Sequence, residues 1–105
     1  MFAEGTIRLT NGNDTFGRVE IFLDNQWGTI CDDGWEFIDA IVVCWQLGFK
    51  TANIATSGNF PNNAPGVIHF ENLNSHGKEE SILECRFRTN HDCSDFEAVD
   101  VGCAD

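Results

Sequence analysis

Apolar and polar residues alternate along Ile7-Arg8-Leu9-Thr10, which predicts a half-buried strand. The same period of two returns at Val19, Ile21 and Leu23, set against Arg18, Glu20 and Asp24, with Phe22 as an interruption. Asn11 to Asp14 has turn chemistry, and Asp24-Asn25 reads as a tight turn into Gln26 to Cys31. Together these segments predict a β-hairpin whose second strand ends at Asp32-Asp33. At Asp39 the period changes. Ala40, Val43, Cys44 and Leu47 fall at i, i+3, i+4 and i+7, one face of a helix. Asp39 is read as the cap of that helix and Gly48 as its left-handed end. Cys44 then points into the core, while Trp45 falls off the stripe and is expected to be partly exposed. Residues 51 to 66 are rich in Asn, Ser, Gly and Pro and read as a long loop. Val67 to Phe70 is predicted as a short strand, Asn72 to Gly77 as a turn, and Lys78 to Cys85 as a short helix. Thr89 to Asp95 is polar loop. Ala98, Val99, Val101 and Cys103 suggest a last strand that returns to the core.

Composition narrows the class. A chain of 105 residues fits one domain. A domain of this size buries only about two-thirds of its unfolded surface, so cross-links would matter. Six Lys plus Arg stand against 17 Asp plus Glu, for a net charge of -11. That balance argues against nucleic acid and anionic membrane surfaces as partners, since both require basic patches. It favours cations or basic partners. No run approaches the roughly 18 apolar residues of a membrane span. Residues 1–5 are read as an N-terminal extension, with no apolar stretch of a signal peptide behind them.

Five cysteines lie at 31, 44, 85, 93 and 103, none in a C-x-x-C pair. Their wide spacing looks like the disulfide framework of a secreted domain rather than a zinc or thioredoxin motif. An odd count leaves at least one thiol over. Five choices of leftover and three pairings of the rest allow about 15 frameworks, and spacing cannot choose among them. Asn13-Asp14-Thr15 is a glycosylation sequon for a secreted chain.

The richest chemistry sits in Trp27-Gly28-Thr29-Ile30-Cys31-Asp32-Asp33-Gly34-Trp35. Two adjacent carboxylates repel, and a hard cation is the simplest agent that would favour keeping them. On these residues alone a solvated acidic turn is the plainer account.

Several motifs, in order, resemble the scavenger receptor cysteine-rich (SRCR) domain. They are Gly17 to Ile21, Trp27 to Trp35, Asp39 to Gly48, Glu80 to Cys85, Asn90 to Cys93 and Glu97 to Cys103. The resemblance covers residues 6–104. It implies an α+β fold in which a compact curved antiparallel β-sheet cradles one main α-helix, with a second short helix and long loops. It also implies the pairings Cys31–Cys93 and Cys44–Cys103. Cys85 would pair with a cysteine ten positions earlier, where this chain has Ser75, so Cys85 is expected to be a free, buried thiol. The chain is thus the six-cysteine type with one bridge broken.

The resemblance further implies a cation, calcium with magnesium as the other possibility, held by Asp32, Asp33 and Glu97. Ala98-Val99-Asp100 departs from the family's usual Asp-Ala-Gly after that glutamate. A second site of the family would fall on Asp39, Glu71 and Asn72, although Asp39 also suits a helix cap. Lys78, Arg86 and Arg88 are diluted by Glu79, Glu80 and Glu84, so a polyanionic ligand would need the cation as intermediary. His69, His76 and His91 are scattered and match no catalytic spacing. The implied function is an extracellular, non-enzymatic module, secreted or in a receptor ectodomain. Its ligand would be a protein, glycan or microbial surface. The alternative is an accessory domain of a larger secreted enzyme, such as a protease or an amine oxidase.

Overall fold

The structure, a computed structural model, describes residues 2–32, 34–58, 67–88 and 98–105. The side chains of residues 67, 70–72 and 88 are not among those described. Seven strands occur among the described residues. These are β1 (Ile7–Thr10), β2 (Phe16–Leu23), β3 (Gln26–Ile30), β4 (Thr51–Ser57), β5 (Val67–Asn74), β6 (Arg86–Arg88) and β7 (Val99–Ala104). One α-helix, α1 (Phe37–Gln46), and a short 3-10 turn at Ile82–Glu84 complete the set.

Strand β2 is the hub. It pairs antiparallel with β1 over Arg18–Ile21, with β3 over Ile21–Leu23 and with β7 over Phe16–Arg18. The sheet runs β4-β7-β2-β3-β5-β6, with β1 added on β2. All pairs are antiparallel except β3 with β5, which run parallel because a long excursion through α1 and β4 separates them. The hairpin turn is Asp24-Asn25, as the sequence predicts. Both residues have positive φ, 52° and 65°, which suits the twist of a two-residue hairpin loop.

The helix packs its buried side, Ala40, Val43 and Cys44 with Val42, on Val19, Ile21, Ile30, Val99 and Val101 of the sheet. Its start differs from the expectation. The helix begins at Phe37, and the capping residue is Glu36 rather than Asp39. Asp39 stands three positions inside, and its Oδ2 accepts the Glu36 N–H at 2.9 Å. This is the reaching-back half of a capping box. At the other end Gly48 has φ 98°, the left-handed conformation expected there. Trp45 is exposed, and its Nε1–H donates to the Lys50 carbonyl just beyond the helix.

Three other segments depart from the sequence reading. β5, expected to end at Phe70, runs on to Asn74 into the segment read as a turn, because β6 pairs with it at Glu71 and Asn74. Residues 51–57, expected as loop, form β4, because β7 supplies a backbone partner along their whole length. Polar composition alone could not reveal that pairing. β4 bulges between Ala52 and Ile54 against Gly102, where a Cβ would meet Ile54 Cβ at 3.0 Å; only glycine fits without displacement. Lys78 to Cys85, expected as a short helix, gives only the three-residue turn Ile82–Glu84, capped by Ser81 Oγ accepting from the Leu83 N–H at 3.2 Å.

The face of the sheet away from the helix is also closed. Arg18 and Glu20, which alternation assigns to a polar face, are 2 % and 6 % exposed. Arg18 donates to Glu20 at 2.9 Å, and Arg8 donates to the same carboxylate at 2.7 Å. The Arg8 guanidinium lies 3.9 Å from the Trp27 ring centroid. Trp27 in turn packs edge-on with Phe22 and Phe2, which accounts for the apolar Phe22 in a polar register. The pairing stabilises these ions through one another, so removal of one would strand its partner.

Candidate functional site

The Cys44–Cys103 disulfide is closed, with an S–S distance of 2.06 Å, and ties α1 to β7. Cys31 is disulfide-bonded as well. Its expected partner, Cys93, lies outside the described residues. Cys85 is free and buried.

The candidate site starts where β3 ends. Cys31 forms an antiparallel bridge with Ala98, the residue that follows Glu97 in the sequence. Asp32 comes next, half-buried. Its carbonyl accepts the Trp35 N–H at 2.9 Å, closing a turn in which Gly34 has φ 77°. Among the described residues its carboxylate is held by a short hydrogen bond on one side. Oδ2 accepts the Ser57 hydroxyl at 2.7 Å, and the polar contact of Oδ1 among the described residues is the Cys31 sulfur at 4.0 Å. Ser57 is the last residue of β4 and pairs in register with Val99. The Gly58 N–H donates to the Ala98 carbonyl at 3.0 Å. Thus the end of β3, the end of β4 and the start of β7 meet at one rim.

Asp33 and Glu97, the other two expected ligands, lie outside the described residues. No group of three metal-binding side chains occurs among the described residues. What Asp32 offers does fit a hard cation: an oxygen donor, partly shielded from water, with Oδ1 not held by a short hydrogen bond from any described residue. Asp100, the last of the altered residues after Glu97, is fully buried and accepts from Thr56 Oγ1 at 3.2 Å.

Asp39, named for a second site, is committed elsewhere. It is buried, with Oδ2 on the Glu36 N–H and Oδ1 accepting the Ser75 N–H at 2.9 Å. Burial pushes its pKa up, while the Ser75 and Glu36 hydrogen bonds pull it back. Both oxygens thus join the helix start to the turn after β5. The side chains of Glu71 and Asn72 are outside those described. Asn13 is exposed, and its Oδ1 accepts from the Thr15 and Phe16 N–H groups, both at 2.9 Å, in an Asx-type turn.

A polar cluster lies beside Asp39, in which the sequence reading singles out Ser75 and Cys85 but takes Glu79 only as a charge diluting the basic residues. Ser75 Oγ is 2.7 Å from Cys85 Sγ. Glu79 accepts the N–H groups of His76, Gly77 and Lys78 at 2.8 to 3.1 Å. Those bonds, the His76 one first, hold the Glu79 carboxyl down at about 2. Cys85 is pushed up to about 11 by burial, with Glu79 and Asp39 adding to the rise. It lines an open cleft of about 740 Å³ walled by Gly34, Glu36, Leu73 and Phe87 among others. The one signal for Glu79 in the sequence was Gly77-Lys78-Glu79, a turn glycine followed by an acid. Ser57 gave no signal, because it stood inside a segment read as loop. Of the histidines, His69 contacts the Gln26 carbonyl at 3.1 Å, and His91 lies outside the described residues. No helix of the described residues is long and apolar enough to cross a membrane.

A family model, "Scavenger receptor cysteine-rich domain", matches residues 10–104. Among curated proteins, a "Scavenger receptor cysteine-rich domain superfamily protein" of Patiria pectinifera is 41% identical over 105 residues. That match covers 96% of this chain and 9% of the relative. Lysyl oxidase homolog 2 of Mus musculus is 42% identical, over 92% of this chain and 13% of its own length. The chain therefore spans about a tenth of these relatives. Among solved structures, the third SRCR domain of murine neurotrypsin superposes with a TM-score of 0.84 at 40% identity, covering 93% of this chain and 94% of that one.

Proposed function

Because the chain belongs to the scavenger receptor cysteine-rich family, a family of ligand-recognition modules, we propose that it recognises its ligand outside the cell through a calcium ion. The single observation behind this reading is the Asp32 carboxylate, whose Oδ2 is fixed by the Ser57 hydroxyl while Oδ1 has, among the described residues, only the 4.0 Å contact with the Cys31 sulfur. It stands beside the Cys31–Ala98 bridge, which is one residue from Glu97 in sequence. Asp32, Asp33 and Glu97 would hold the ion. The ion would supply the positive charge that a chain of net charge -11 lacks toward an anionic glycan, protein or microbial surface. The residues act as ligands and as orienting groups. Members of this family are typically non-catalytic, and no covalent chemistry is assigned to the site. The match to lysyl oxidase homolog 2 is compatible with service as an accessory domain of a larger enzyme, but does not favour it.

Calorimetric titration with calcium tests the reading. Saturable heat with a dissociation constant of roughly 10⁻⁴ to 10⁻³ M, the range of extracellular modules, is expected. Asp33→Ala should abolish it. Absence of heat with the unaltered chain, or equal heat with the variant, overturns the reading. Dextran sulfate then serves as a polyanion probe, retained with calcium and released by a chelator.

A further inference from the structure

We infer that Ser57 is a positioning residue for the cation site, and that the site thereby reaches the end of β4. The inference rests on the calcium reading above. Asp32 follows the bridged Cys31, so its backbone is fixed, but its side chain retains rotamer freedom of its own. The Ser57 hydroxyl removes that freedom by donating to Oδ2 at 2.7 Å. A charge-assisted bond of this length is short and directional. Among the described residues it leaves Oδ1, 4.0 Å from the Cys31 sulfur, as the oxygen available to a cation. Ser57 is itself fixed, since it pairs in register with Val99, and the Gly58 N–H bonds the Ala98 carbonyl. The hydroxyl is therefore delivered from a rigid strand end rather than from a mobile loop.

Two consequences separate this role from mere packing. Without the hydroxyl, Asp32 must be immobilised by the cation itself. Calcium affinity should fall about three- to ten-fold, the cost of ordering one side chain. Binding is also reciprocal. An ion that fixes Asp32 must tighten its hold on Ser57 and hence steady the adjoining Gly58–Ala98 bond.

The test uses the whole chain and three variants, Ser57→Ala, Ser57→Thr and Asp32→Ala. Calcium titration of the Ala variant should show the three- to ten-fold loss, and Thr, which keeps the hydroxyl, should restore the affinity. In the Asp32→Ala background, adding Ser57→Ala should change nothing further. Hydrogen exchange of the Gly58 amide supplies a readout independent of affinity. It should slow on adding calcium to the unaltered chain, and less so in Ser57→Ala. If the unaltered chain binds calcium and Ser57→Ala binds equally well, the positioning role is overturned while the calcium reading stands. Failure of the Thr variant to restore affinity also overturns it. If the unaltered chain binds no calcium, the reading beneath it fails first.

Discussion

Ser75 Oγ sits 2.7 Å from Cys85 Sγ, ten residues apart in sequence and buried together. The pair occupies the place where the family resemblance implies a disulfide. A hydroxyl and a thiol fill it instead, each able to donate to the other. The core therefore keeps a polar contact where a covalent one would stand.

Substituting Ser75→Cys should restore the bridge. The closed loop is short, so the chain-entropy model gives about 2–3 kcal/mol of added stability. The backbone N–H of residue 75, which Asp39 accepts, is untouched by the change. Thiol titration after denaturation should fall from one per chain to none, and thermal unfolding should shift upward by about 10 °C or more.

The native Cys85 thiol should be inert at neutral pH. It is 6 % exposed, and burial pushes its pKa up to about 11, so little thiolate forms. A thiol-reactive dye should label the folded chain slowly at pH 7 and the denatured chain at once. Labelling should accelerate as the pH approaches 11. Rapid native labelling at pH 7 would contradict this placement.

Glu79 should make the domain acid-sensitive. Its folded pKa is lowered from 4.5 to about 2 by three consecutive backbone N–H groups. The unfolded chain therefore binds the proton more readily between these values. Stability from this group is fully present above about pH 4.5 and is lost as pH falls toward 2. Glu79→Gln should remove most of that slope and cost about 2 kcal/mol at pH 7, because bonds to a charged acceptor become bonds to a neutral one. Urea unfolding at pH 7 and pH 3 reads both effects.

Asp39 should behave in the opposite sense. Its folded pKa is raised above 3.8, mainly by burial, so its ionisation opposes folding as pH rises through that folded value. The two backbone N–H groups it satisfies outweigh this. Asp39→Ala leaves both without a partner and should cost about 3 kcal/mol in urea unfolding at pH 7. The gap between wild type and variant should not close below pH 4, since a protonated Asp39 can still accept both bonds.

Removing the Cys44–Cys103 bridge by paired alanines should cost about 4 kcal/mol, given a sequence separation of 59. Reduction without denaturant should proceed slowly, because both sulfurs are buried.

Much of the frame could be read from the chain. The period of 3.6 located α1 and faced Cys44 inward, and Asp24-Asn25 marked the hairpin, because both signals are local. Asp32 was singled out by its neighbours in sequence. What escaped depended on distant partners. β4 exists because β7 runs beside it, and Ser57 acquires a role only through Asp32, 25 positions away. Arg18 and Glu20 looked like a wet face until Arg8 and Trp27 closed over the same carboxylate and ring. Asp39 was read as a cap one turn from its true place, since Glu36 outside the apolar stripe gave no periodic signal.

β7 carries a covalent anchor near one end, at Cys103, and a rim residue, Ala98, just ahead of its other end. Five residue steps separate them, roughly 16 Å of extended backbone. The strand thus works as a ruler with its zero mark clamped to the helix. Sequence changes on the outer side of α1 can move solvent-facing atoms without re-zeroing the rim. An insertion or deletion within β7, by contrast, would shift the rim's register against Cys31 and Ser57 and flip every side chain between the two faces. Residue identities around this rim are therefore free to drift, while the length of that one strand is fixed.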